Sequence, residues 1–138
     1  MDVAADTAYA LVQVVHNFGA VAVVGGPATA WLWTREQILV PRLFAWLVGG
    51  GWAFQALSGA SFGLTSWLSR GELPEVTGIA RYAFFTKVAC AVIGFALASC
   101  ILFARGQRSF CRERWIWAML FALGAEAISA AAFLRWFG

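Results

Sequence analysis

Apolar residues gather in four runs, approximately 7–33, 43–68, 81–104 and 115–137, divided by short polar connections. Each run supplies the roughly 20 residues a helix needs to cross a hydrocarbon core of ~30 Å. The connections span 34–42 with Pro41, 69–80 with Pro74 and two glycines, and 105–114. Connections this short force neighbouring helices to run antiparallel. The pattern therefore predicts a single all-α domain over 1–138, an integral membrane up-down-up-down four-helix bundle. Gly25-Gly26-Pro27 in the first helix and Gly49-Gly50-Gly51 in the second would weaken soluble helices. In a membrane, small residues let helix backbones approach closely, and proline can kink a helix without breaking it.

Composition strengthens this picture. Hydrophobic residues make up 62% of the chain and charged residues 12%, about half the charged share of an average soluble domain. A 138-residue soluble protein has too little interior to hide that surface, so the expected solvent is the lipid bilayer. The net charge of +3 resides mainly in loop arginines, and no basic–aromatic stripe suggests a nucleic-acid partner. Eight Trp and twelve Phe are enough to furnish interfacial belts.

The acidic start Met1-Asp-Val-Ala-Ala-Asp and the long run behind it do not read as a cleaved signal peptide. Cys90, Cys100 and Cys111 form no CxxC pair, and the first two lie too far apart on one helix to bridge. Arg35, Arg42, Arg105, Arg108, Arg112 and Arg114 fall on one side. Arg70, Arg81 and Arg135 fall on the other, diluted by Asp2, Asp6, Glu72 and Glu75. The positive-inside rule then predicts a multi-pass protein of a bacterial inner membrane with both termini outside.

Polar groups inside the runs are the candidate chemistry, because ionisable side chains in a bilayer usually mark buried contacts or functional sites. His16, the single histidine, is expected ~14 Å below the outer surface, Gln55 ~20 Å, Lys87 ~9 Å and Glu126 ~16 Å. Each helix thus offers one strong polar group, and the four are expected to converge on the bundle interior. Gln13 and Asn17 flank His16, and Tyr9 continues the Gln13 face. Small and polar residues accompany the others at helical spacing: Gly51, Gln55, Ser58 and Gly59; Lys87, Cys90 or Ala91, and Gly94; Glu126, Ser129 and Ala130. Those stripes suit either close helix packing or a flat ligand.

Several readings stay open for each group. His16 serves as an interhelical hydrogen bonder, as a ligand to haem iron or another metal centre, or as a proton relay. Lys87 snorkels to the surface or pairs with Glu126, whose carboxylate near mid-bilayer needs a partner or a proton. Gln55 reads as interhelical glue, and Arg81 as an interfacial anchor.

Two stretches resemble the four-helix units of the copper-resistance D-type membrane proteins and the related membrane protoporphyrinogen oxidases. One is His16-Asn-Phe-Gly-Ala-Val-Ala-Val-Val-Gly25-Gly26, a histidine followed nine residues later by a Gly pair. The other is Arg81-Tyr-Ala-Phe-Phe-Thr-Lys87, continuing through an apolar run to Arg105. The resemblance implies a b-type haem held by His16 and Lys87. The chain departs from the pattern at Val24, where Trp is common, and in lacking the further histidines. With two Met in all, it offers few of the soft ligands that copper requires.

The expected function is accordingly a small inner-membrane haem b protein, or the membrane subunit of a redox or electron-transfer complex, rather than a stand-alone enzyme. The alternatives are a non-catalytic anchor or assembly subunit, and copper or proton translocation. Expected partners are lipid, and other membrane subunits or a second copy of the chain.

Overall fold

The computed structural model describes residues 3–33, 40–71, 77–103 and 110–137. All but Gly71 and Thr77 lie in four helices: α1 (Val3–Trp33), α2 (Val40–Arg70), α3 (Gly78–Phe103) and α4 (Phe110–Phe137). Each extends beyond its apolar run at one end or both, because helical hydrogen bonding continues after the side chains turn polar. α2 ends where Gly71 adopts φ 75° and donates its N–H to the Trp67 carbonyl at 2.8 Å, a left-handed cap that glycine accepts without strain.

Among the described residues, three helices are long and apolar enough to cross a membrane: α1, α3 and α4. The sequence pattern led us to expect four. α2 matches α1 in length at 31 residues, but its glycines, serines and threonine dilute its apolar character, since small polar groups replace hydrocarbon. Many of its aliphatic and aromatic residues still face outward, among them Leu47, Phe54 and Leu57.

The helices form a square in which α1 packs on α2 and α4, and α3 packs on the same two. Among the described residues, neither diagonal pair, α1 with α3 or α2 with α4, makes a backbone contact. The facing residues of α1 and α2 run in opposite order, from Gly26 against Val48 through Gly19 against Gln55 to His16 against Ser58. Those of α2 and α3 do likewise, with Gly49 beside Ala98 and Trp52 beside Gly94. Both are consistent with up-down-up-down order.

Glycine sets the helix spacing at four points, the first being Gly26, where a Cβ would lie 2.7 Å from Val48 Cγ2. A Cβ on Gly51 would meet the side chains of Ala22 and Val23 of α1 at 2.9 and 3.0 Å. One on Gly94 would run into the indole of Trp52. One on Gly124 of α4 would lie 2.6 Å from the Val23 carbonyl oxygen. This last contact has a cause within α1. Pro27 has no N–H, so the Val23 carbonyl four residues earlier lacks its ordinary helical donor, and it is this oxygen that the bare Gly124 backbone approaches. The core follows from the same packing: Val23, Val48, Trp52, Trp117 and Leu120 are almost wholly buried, mostly toward the end where α1 passes to α2.

Little else is covered. Between 17% and 28% of the apolar windows of α1, α3 and α4 is buried within the chain. Phe18, Val21, Phe85, Val92 and Met119 are exposed all round the bundle, an outer surface made for hydrocarbon. Aromatic residues mark both ends. Trp31, Trp33, Trp46 and Trp115 lie at one, where the Arg114 guanidinium sits 4.9 Å above the Trp31 ring. Trp67, Tyr82, Trp136 and Phe137 lie at the other. Asp2, Arg35, Glu72, Glu75, Arg105 and Arg108, which bear on orientation, lie outside the described residues.

Candidate functional site

The polar residues of three helices meet at His16. Its Nδ1 lies 2.7 Å from Ser58 Oγ of α2, and its Nε2 lies 3.1 Å from Lys87 Nζ of α3. Gln55 Nε2 donates to the His16 backbone carbonyl at 2.6 Å, holding α1 and α2 in register beside the ring. Ser58 Oγ donates in turn to the Phe54 carbonyl at 2.5 Å. The Lys87 contact spans the α1–α3 diagonal, across which the backbones do not touch; only a side chain as long as lysine closes that gap.

Aromatic groups bracket this centre along the bundle axis. On one side the Phe62 ring meets the imidazole edge-on at 5.7 Å, and Tyr9 stacks on Phe62 at 6.3 Å. On the other, Trp52 fills the space left by Gly94. His16, Gln55 and Ser58 are buried, and Lys87 is half-buried.

These hydrogen bonds admit two consistent proton arrangements. In the first, Lys87 donates to Nε2, Nδ1–H donates to Ser58, and the Ser58 hydroxyl donates to the Phe54 carbonyl. In the second, Nε2–H donates to the lone pair of a neutral Lys87 amine, and Ser58 donates to Nδ1. Both keep the imidazole neutral with one N–H, since each ring nitrogen is a donor in one tautomer and an acceptor in the other. With a charged Lys87 the first arrangement holds one proton more than the second, so passing between them takes up or releases a proton as well as switching the imidazole tautomer.

Of the residues singled out from the sequence, His16, Gln55 and Lys87 come together and the rest do not. Gln13 and Asn17 are exposed and bond to each other, Gln13 Nε2 donating to Asn17 Oδ1 at 2.8 Å. Arg81 is exposed near the start of α3, as an interfacial anchor would be. Glu126 does not join the interior. It is exposed in a shallow groove between α3 and α4, lined by Tyr82, Thr86, Ser129 and Phe133 among others. Among the described residues no ion pair joins it to Lys87, which turns inward to His16 instead of snorkelling outward. Thr86 and Lys87 are adjacent in α3, so about 100° of helical rotation separates the groove from the interior. Ser58 was not singled out as a site residue; its place on the Gly51, Gln55 and Ser58 stripe was the available signal.

The haem reading is open to a geometric test. His16 and Lys87 are the residues that would hold a haem and supply its nitrogen ligands, and here their Nε2 and Nζ lie 3.1 Å apart, in contact with each other. Two of the small-residue positions are also filled. A Cβ on Gly19 would already lie 3.2 Å from Gln55 Nε2, and Gly94 is occupied by Trp52. In this arrangement His16 and Lys87 are engaged with each other, and Trp52 stands against Gly94. Among the described residues no group of three His, Cys, Asp or Glu is placed to hold a metal ion. Comparisons of the chain with protein-family models, with curated proteins and with solved structures find no match.

Proposed function

We propose that this chain is a multi-pass protein of a bacterial inner membrane, both termini outside, whose His16–Lys87 centre exchanges a proton as part of a larger redox or transport assembly. The observation that carries this reading is the continuous chain Lys87–His16–Ser58, with contacts of 3.1 and 2.7 Å. It stands in the half of the bundle nearer the termini, and the other half is packed with Trp52, Trp117, Leu120, Val23 and Val48. A centre sealed on one side serves proton uptake and return rather than free conduction through the chain.

The test is nitrogen NMR of the protein in lipid, labelled at histidine and lysine, followed across pH. The His16 ring and Lys87 amine should titrate as one coupled pair, each curve bearing the other's inflection. Lys87→Met should reduce the His16 profile to a single step. A His16 profile unchanged by Lys87→Met would sink the proposal. A Soret absorption band in the purified protein, lost in His16→Ala, would replace it with the haem reading.

A further inference from the structure

Glu126 is the feature that the interior centre leaves unexplained. At ~1.5 Å per residue it lies about 18 Å from Arg114 and about 16 Å from Phe137, so it stands near mid-bilayer when α4 spans. It faces outward, and among the described residues it has neither an ion-pair nor a hydrogen-bond partner. A carboxylate presented to hydrocarbon at that depth is costly and in membrane proteins is met by a partner group. Its surroundings form a seat for one. Ile79, Tyr82, Ala83 and Thr86 of α3 and Ser129, Ala130 and Phe133 of α4 line the groove. It runs on past Phe133 over Ala132, Trp136 and Phe137, so a strip along α4 is shaped to take another elongated segment.

We infer that this groove docks a transmembrane helix of a different protein, one that carries a lysine or arginine at mid-bilayer and places it on Glu126. Charge complementarity selects the occupant. A two-fold pair of this chain through the same groove would set one Glu126 against the other, which is repulsive. Nor does the chain offer itself a cation at that depth, because Lys87 is turned inward to His16. The inference needs only that the bundle spans the membrane and is independent of proton exchange at His16.

The experiment uses the full-length chain in phosphatidylcholine vesicles with synthetic polyleucine transmembrane helices bearing Lys, Asn or Leu at the central position. Association is read by energy transfer between a dye on the helix and one on the chain. The Lys helix should associate about tenfold more tightly than the Leu helix, the scale of one interhelical polar contact. Glu126→Gln should remove that preference while circular dichroism stays unchanged. Equal association of the Lys and Leu helices with the wild-type chain would overturn the inference. So would an Asn helix matching the Lys helix, since hydrogen bonding without charge would then explain docking. Self-association of the chain that excludes the Lys helix would overturn it in favour of a homodimer.

Discussion

His16 is held from three directions, by Ser58 at Nδ1, Lys87 at Nε2 and Gln55 at its carbonyl, and each hold predicts a measurable coupling. Ser58→Ala should lower stability in detergent by ~1 kcal/mol, and a double-mutant cycle with His16→Ala should return a coupling of about 0.6 to 1.7 kcal/mol, the range of interhelical hydrogen bonds in membranes. Strict additivity, measured by reversible unfolding, would mean the bond is not made. Glu126→Gln and Lys87→Met should instead add within about 0.5 kcal/mol, because the two side chains face different surroundings. A large coupling between them would restore the ion pair that their depths alone suggested. Sequence made His16 and Gln55 legible because polar groups stand out in apolar runs. It left Ser58 obscure because serine is ordinary among small residues. It also misled on Glu126, because depth along a helix says nothing about the rotation that chooses between interior and lipid.

Helix packing depends on which glycines are approached and which are not. Gly94→Ala would drive a methyl into the Trp52 indole, and Gly124→Ala would drive one onto the Val23 carbonyl. Each should destabilise by about 1–3 kcal/mol, the usual cost of overpacking. Gly59 and Gly63 have open space where a Cβ would go, so alanine there should be neutral or stabilise by up to about 1 kcal/mol through helix propensity. Thermal or denaturant unfolding of the four variants decides the matter, and equal effects at all four would refute close packing at Gly94 and Gly124. From the sequence alone Gly59 and Gly94 were equivalent members of small-residue stripes. What sets Gly94 and Gly124 apart is the group each meets on another helix, which comes from a distant part of the chain.

For the whole molecule, the four elements and their approximate limits were legible because crossing a bilayer demands long apolar runs, and the chain has them. The weaker apolar character of α2 was harder to see, since its glycines and serines interrupt the run without ending it. Orientation rests on arginines in the connections, so it is tested there. A membrane-impermeant thiol reagent on intact cells should leave Cys111 unlabelled, and ready labelling would invert the topology. One backbone detail also bears on how the chain is made. The Val23 carbonyl, stripped of its donor by Pro27, is shielded by Gly124 of the last helix, and an unsatisfied carbonyl in hydrocarbon costs several kcal/mol. During synthesis α1 enters the bilayer before the Gly124 backbone that meets this carbonyl has been made. The nascent bundle has reason to stay open, or in the care of the insertion machinery, until translation reaches α4.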